Sequence, residues 1–145
     1  MRNIFFLAAF TFTLAVGHAQ TPRFKKAQSM ARTENKLVLL NFSGSDWCQP
    51  CMRLEQQVFS DRRFQQFAQR SLVLVHADFP RRKSLPQEIA QENAELAVRY
   101  NTSGYLPTTL LMTSDGRILK AWNGFAGETA NDFIDAIKRV SVQDN

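Results

Sequence analysis

Histidine and cysteine are scarce in this sequence, with two residues of each among 145. A closed zinc site takes four ligands, mostly cysteine and histidine. Residues 1–19 are a predicted signal peptide, and without them His76, Cys48 and Cys51 are the only histidine and cysteine ligands that the sequence offers. The chain is therefore not expected to hold a metal ion by itself.

The sequence also lacks an apolar run long enough to cross a bilayer. A membrane helix needs about 20 apolar residues, whereas the uncharged run near the start covers residues 4–16. It follows a positive charge and precedes Gly17-His18-Ala19, which places small residues where a signal peptidase cleaves. We expect a secretory signal peptide over residues 1–19 and a soluble exported domain over residues 20–145, periplasmic or extracellular. No cysteine lies at the cleavage point, so a lipid anchor is not expected.

Charge of one sign is not in large excess either. The formal net charge is +5, and removing residues 1–19 takes away Arg2 and leaves +4. The densest basic stretch, Arg81-Arg82-Lys83, has no interleaved aromatic residue that could stack on a base. We interpret it as a solvated loop, and no nucleic-acid partner is expected.

Repeats and low-complexity segments are also missing, and the length suits one domain. The chain instead alternates strand-like and helix-like segments, in the order βαβ followed by ββα. This order predicts an α/β domain with a central mixed sheet flanked by helices. The first half of the chain is predicted to contain a helix carrying Phe24, Ala27 and Ala31, a buried strand over residues 37–42, and helical segments with Leu54, Val58, Phe64, Phe67 and Ala68, between which Ser60 or Asp61 acts as a cap. A strand over residues 72–77, a surface connection over 78–86 and a helix from Pro86 to near Asn101 follow. The last part is predicted to contain strands over 108–112 and 118–122, joined by a tight hairpin at 114–117, and a helix with Phe133, Ile134, Ile137 and Val140 on one face.

The segment Trp47-Cys48-Gln49-Pro50-Cys51 lies between the first predicted strand and a helix. A thiol at a helix N-terminus faces unpaired N–H groups, which favour its thiolate form. Cys48 is therefore the predicted nucleophile. Cys51, one helical turn on, is the predicted resolving thiol. Gln49 and Pro50 shape the loop, and Pro50 stiffens it.

Two other interpretations of the cysteine pair are open. A structural disulfide is one, although so short a loop restricts the unfolded chain little. Half of a zinc site is the other, although further ligands are lacking. His76 has no visible partner for base chemistry, so we interpret it as a packing or surface residue. Trp122 is likewise interpreted as strand packing.

The motif around Cys48, together with Gly104-Tyr105-Leu106-Pro107-Thr108, resembles the thioredoxin family. The segment Ser43-Gly44-Ser45-Asp46-Trp47 is most similar to small exported thioredoxin-like proteins and to the C-terminal domain of the transmembrane disulfide reductase. The resemblance implies a thioredoxin fold with a cis Pro107 beside the two cysteines. It further implies that Leu106 pairs its backbone with an extended substrate, and that Trp47 forms an apolar lip where the substrate disulfide lands.

The sequence departs from the family at two positions. Asn41 stands where thioredoxins usually carry a buried acid, and Asn cannot relay a proton. Leu74 stands where the family carries a buried lysine. Both changes bear on whether the protein behaves as a strong reductant.

These observations predict an exported thiol:disulfide oxidoreductase that acts on protein disulfides, with reduction favoured over oxidation. It is expected to work as a monomer without metal or organic cofactor, using a Cys48–Cys51 disulfide and a membrane-bound redox partner. The alternatives are a disulfide oxidase or isomerase, a dedicated reductant for the haem-attachment thiols of apocytochromes, and a non-catalytic module that binds extended peptides at Leu106 and Pro107.

Overall fold

The computed structural model describes residues 22–143, so the predicted signal peptide lies outside the described residues. Within residues 22–143 no helix is long and apolar enough to span a membrane. The elements in chain order are α1 (Arg23–Thr33), β1 (Leu37–Ser43), α2 (Gln49–Leu54), a π-helical turn (Glu55–Phe59), α3 (Arg62–Ser71), β2 (Leu72–Asp78), α4 (Gln87–Tyr100), β3 (Thr108–Met112), β4 (Ile118–Asn123) and α5 (Ala130–Gln143).

The four strands form one mixed sheet in the order β2-β1-β3-β4. β1 pairs parallel with β2 and antiparallel with β3, and β3 pairs antiparallel with β4. The predicted mixed α/β architecture is confirmed. β1 is central because its residues are apolar on both faces, and all but its end residues are buried.

The two faces of the sheet carry separate hydrophobic cores. Leu39 points to a core shared with the π-helical turn, α3 and α5. Its neighbours Val38 and Leu40 point to a core shared with α1 and α4. Successive residues of a strand face opposite sides, so Asn41 lies on the same face as Leu39. That is the face covered by the helix that follows Cys48.

Several predicted boundaries are confirmed and some are adjusted. Asp61 rather than Ser60 caps α3, because its carboxylate accepts the backbone N–H of Arg63 at 2.8 Å. The predicted tight hairpin over residues 114–117 is confirmed, since the N–H of Gly116 bonds the carbonyl of Thr113 at 3.0 Å and the N–H of Thr113 bonds the carbonyl of Arg117 at 2.9 Å. A register shift at the end of β3 accompanies this loop.

Two predictions about side-chain environments have different outcomes. Trp122 packs on Phe133 with the rings stacked 4.4 Å apart, which confirms its packing role. Leu74, in contrast, is 40% exposed. β2 is an edge strand that alternates between buried and exposed residues, so the position assigned to a buried lysine is not a buried position in this chain.

Candidate active site

The two cysteines lie where β1 ends and α2 begins. They form a disulfide with Cα atoms 5.2 Å apart. Cys48 is the N-cap residue of α2, and its Sγ accepts the backbone N–H of Cys51 at 3.3 Å. Pro50 occupies the first turn of α2, where a missing N–H costs no hydrogen bond. The short connection after β1 thus places the two cysteines at the N-terminus of a helix.

The two sulfur-bearing residues line different spaces. Cys48 lines an open groove of about 680 Å³, together with Trp47, Gln49, Pro50, Arg53, Gly104, Tyr105, Leu106, Gly124 and Phe125. Cys51 lines a separate cavity of about 310 Å³ between α2 and the ends of β1 and β2. Both cysteines are largely buried, Cys48 to 6% exposure and Cys51 to 3%. A molecule entering the groove therefore meets Cys48 first.

Trp47 is held at the edge of this groove by three neighbours. Its Nε1 donates to the carbonyl of Phe79 at 2.8 Å. The guanidinium carbon of Arg81 lies 3.6 Å from the ring centroid. A Cβ at Gly44 would approach the indole ring to 2.6 Å, so a residue without a side chain is needed there. The indole is fixed in place beside Cys48.

The segment before β3 supplies another part of the groove. The peptide bond between Leu106 and Pro107 is cis, as the resemblance implied. Neighbouring carbonyls are occupied, since that of Tyr105 accepts the Asn101 side chain and that of Pro107 accepts the N–H of Gly124. The backbone of Leu106, by contrast, has no hydrogen-bond partner among residues 22–143. It leaves a donor and an acceptor at the groove.

The groove also contains residues that the sequence patterns did not single out. Gly124 and Phe125 follow β4, and the pairing of Thr108 with Asn123 brings them beside Leu106. Only the register of the hairpin reveals this proximity. Tyr105, which is 59% exposed, could have been found as an aromatic residue directly before Leu106-Pro107.

Most of the residues that line the cavity behind Cys51 are of polar types. Asn41 is 5% exposed there, and its Oδ1 accepts the hydroxyl of Thr109 at 2.9 Å. His76 lines the same cavity, with its exposed ring against Phe59 in an edge contact, which is in keeping with a packing or surface role. The π-helical turn adds Glu55, whose carboxylate accepts the hydroxyl of Ser60 at 3.2 Å. Asn41 is therefore a buried position, and the two carboxylates that line the cavity, Glu55 and Asp78, come from other elements.

No group of three or more histidine, cysteine, aspartate or glutamate side chains within the described part of the chain could hold a metal ion. The chemistry that the site itself offers is the exchange between the Cys48–Cys51 disulfide and a dithiol.

A family profile described as a thioredoxin-like domain matches residues 24–141, nearly the whole described chain. The protein belongs to the thioredoxin-like domain family. The pair Cys48–Cys51 forms a disulfide, and the protein is an enzyme of the thiol:disulfide oxidoreductase class.

Relatives of this thioredoxin-like protein support the assignment. The protein named disulfide bond reductase DsbH from Chlamydia pneumoniae is 29% identical over 128 residues, covering 88% of this chain and 76% of the relative. The solved structure of a DsbH oxidoreductase superposes with a TM-score of 0.75 at 26% identity, covering 94% of both chains. The C-terminal domain of DsbD from Neisseria meningitidis, in its oxidised form, shares the fold at a TM-score of 0.56 and 20% identity, covering 79% of this chain and 89% of that domain.

Proposed function

We propose that this protein is an exported reductase of protein disulfides, with Cys48 as the nucleophile and Cys51 as the resolving thiol. The observation that carries the proposal is the asymmetry of the pair. Cys48 borders the groove, whereas Cys51 borders the separate cavity on the other side of the pair and not the groove. A substrate disulfide in the groove can reach Cys48, and Cys51 is placed to attack from behind.

The reaction transfers two electrons from the cysteine pair to the substrate. The Cys48 thiolate attacks one substrate sulfur, which forms a mixed disulfide and breaks the substrate S–S bond; the leaving sulfur takes up a proton. Deprotonated Cys51 then attacks Sγ of Cys48, which forms the Cys48–Cys51 disulfide and releases the second substrate thiolate. A dithiol partner must reduce the pair again before the next turnover.

The environment of Cys48 favours the nucleophilic form. The N–H of Cys51 points at Sγ of Cys48, and a hydrogen bond from a backbone amide is stronger to a thiolate than to a neutral sulfur. This contact is made by the backbone of α2 itself. It therefore remains available when the disulfide is reduced.

The groove suits an extended peptide. Leu106 offers an unpaired N–H and C=O, so a substrate strand can add main-chain hydrogen bonds with little dependence on its sequence. Trp47 and Tyr105 supply aromatic surface in the groove that Cys48 borders. We assign substrate binding to Trp47, Leu106 and Pro107, and loop shaping to Gln49 and Pro50.

The direction of the reaction and the location are further parts of the proposal. The relative at 29% identity is named a disulfide bond reductase, which favours reduction over oxidation or isomerisation. Residues 1–19 have the composition of a signal peptide. Disulfides persist in exported compartments, so a reductase there needs electrons from a membrane-bound redox partner.

Trapping of the mixed disulfide tests the two cysteine roles. With the Cys51→Ser variant, a protein disulfide substrate should accumulate as a covalent adduct that is visible on a non-reducing gel. The Cys48→Ser variant is the matched control and should give no adduct. Adducts on Cys51 alone would reverse the assignment. No adduct with either variant, together with unchanged function of the double serine variant, would replace the enzyme with a peptide-binding module.

A further inference from the structure

The basic segment Arg81-Arg82-Lys83 lies at the redox site. Asp46, two residues before Cys48, holds it there: one carboxylate oxygen accepts the N–H of Arg81 at 2.9 Å, and the other accepts that of Arg82 at 2.8 Å. The hydrogen bond from the Arg81 amide, joined by that from Arg82, lowers the pKa of Asp46 below its ordinary value. The carboxylate is therefore charged at neutral pH and occupied by the chain's own amides.

Further contacts fix the start of this loop. The N–H of Phe79 bonds the carbonyl of Ser43 at 2.8 Å. The carboxylate of Asp78 accepts both the N–H and the hydroxyl of Ser45, at 2.9 and 2.6 Å. The loop that follows β2 is thus fastened along the segment that leads from β1 to the cysteines. Although exposed, it is not a loosely attached solvated loop.

The side chain of Arg81 packs on Trp47, one of the residues that line the groove. Its guanidinium lies over the indole of Trp47, 3.6 Å from the ring centroid, and Trp47 lines the groove with Cys48. A guanidinium held over an aromatic face keeps its charge and part of its hydrogen-bonding edge available. Arg82, also exposed, follows directly.

The groove itself has the same sign of charge. Among the residues that line it, Arg53 on α2 is the only charged one within the described chain, and it is exposed. The carboxylates nearby in sequence already accept hydrogen bonds from the chain: Asp46 and Asp78 through the contacts above, Glu55 from the hydroxyl of Ser60 at 3.2 Å, and Glu128 from the N–H of Ala126 at 3.0 Å. Lys83 differs from the two arginines, because its Nζ forms an ion pair with the carboxylate of Asp78 at 3.4 Å.

We propose that Arg53, Arg81 and Arg82 form a cationic rim that selects protein partners whose reactive cysteine is flanked by acidic side chains. Complementary charge next to a reaction site raises the rate of productive encounter more than the final affinity. Salt screens such attraction, so the preference depends on ionic strength. The inference rests on the proposed function, because it takes Cys48 to be the site where protein substrates dock.

The test uses two disulfide-bonded peptides that differ only in the residues flanking one cysteine, glutamate in one and lysine in the other. The reduced wild-type protein is mixed with each peptide, and the second-order rate of peptide reduction is measured. The acidic peptide should react about tenfold faster at low salt. This ratio should approach one as the ionic strength rises from about 20 to about 500 mM.

Charge-reversal variants assign the effect to the rim. Arg82→Glu should lower the ratio several-fold, and it leaves the Trp47 contact untouched because that contact is made by Arg81. Arg32→Glu changes the net charge equally and is the control. Arg32 is exposed near the end of α1, which precedes the start of β1, whereas Cys48 follows the end of β1. It should leave the ratio unchanged.

The possible failures are distinguishable. Equal rates for the two peptides at every salt concentration would overturn the cationic rim and leave the reductase intact. An equal loss of selectivity in Arg32→Glu would show that only net charge matters, which also overturns the rim. If the wild-type protein reduced neither peptide, the proposed function would fail, and the rim as a selector of substrates would fail with it.

Discussion

Asn41 is a buried polar residue that lines the same cavity as Cys51, and its surroundings suit a neutral side chain. Its Oδ1 accepts the hydroxyl of Thr109, and its exposure is 5%. A carboxylate at this depth would be poorly solvated, and burial of that kind raises the pKa of an acid. The chain thus keeps a neutral hydrogen-bonding side chain at this position, whereas the titrating side chains that line the cavity, Glu55, His76 and Asp78, come from other elements.

Replacement of Asn41 by aspartate should make stability dependent on pH. The new carboxyl is expected to have a raised pKa in the folded state, so folding is penalised above the ordinary aspartate pKa of about 3.9. Asn41→Asp should lose about 1–3 kcal/mol of unfolding free energy at pH 7, and the deficit should shrink as the pH falls toward 4. Chemical denaturation at several pH values measures this.

Asn41→Leu is the matched control for that experiment. This variant also removes the hydrogen-bond acceptor for Thr109, but it adds no titrating group. Its loss of unfolding free energy should therefore not vary with pH. A constant deficit for Asn41→Asp between pH 4 and pH 8 would show that the position is better solvated than its burial indicates.

The helical path after the redox loop is divided into three elements, each with a local cause. α2 follows its N-cap residue Cys48 and passes into a π-helical turn at Glu55. Such distortions are often found near functional sites. α3 then begins anew at Asp61. The π-helical turn brings Glu55 to the cavity behind Cys51, and the restart lets Phe64 reach the core.

Asp61 should stabilise the restart of this path through both its cap and its charge. The side-chain hydrogen bond from Arg63 lowers the pKa of Asp61 to about 2. Because the folded pKa is depressed, the contribution is present above the ordinary aspartate pKa and is lost as the pH falls toward about 2. Asp61→Ala should lower the melting temperature at pH 7 by a few degrees, with a smaller difference near pH 2.

Asp61→Asn separates the two contributions. Asparagine caps helices nearly as well as aspartate, so this variant should keep most of the stability at pH 7 and lose the pH dependence. If Asp61→Ala melted like the wild-type protein at pH 7, packing alone would set the start of α3.

The elements were largely predictable because their signals are local. Apolar residues on both faces predicted the central β1, and the Asp-Gly turn predicted the tight antiparallel pairing of β3 with β4. The cysteine motif likewise placed Cys48 and Cys51. The π-helical turn was not foreseen, since no residue pattern marks the point where α2 changes its hydrogen bonding.

The rest of the site depends on contacts between distant segments. Gly124 and Phe125 reach the groove only through the register of the last hairpin. The hydrogen bond from the backbone N–H of Arg81 to the carboxylate of Asp46 joins residues 35 positions apart. Sequence periodicity carries no information on such pairings, so the basic segment was expected to be an ordinary solvated loop.

At the scale of the whole molecule, the redox pair is a small covalent link at one end of a sheet that two cores already stabilise. A four-residue loop closed by a disulfide stabilises a fold by only about 2 kcal/mol through chain entropy. The disulfide is therefore not needed to hold the domain together. Its formation and reduction can occur without unfolding.

The proposed direction of electron flow predicts which redox form is more stable. A protein that gives up electrons readily favours its own disulfide, so the oxidised form should unfold at a higher denaturant concentration than the reduced form, by up to about 2 kcal/mol. The Cys48→Ser, Cys51→Ser double variant should not respond to reductant. Greater stability of the reduced form would instead indicate an oxidant, because oxidising couples stabilise their dithiol.

The most direct test of the account is the midpoint potential of the Cys48–Cys51 couple. The protein is equilibrated with graded ratios of reduced and oxidised glutathione or dithiothreitol, and the fraction of free thiol is measured by alkylation. A reversible two-electron transition below about −230 mV is predicted for a reductase supplied with electrons by a membrane partner. A midpoint above about −180 mV, or no reversible transition, would contradict it.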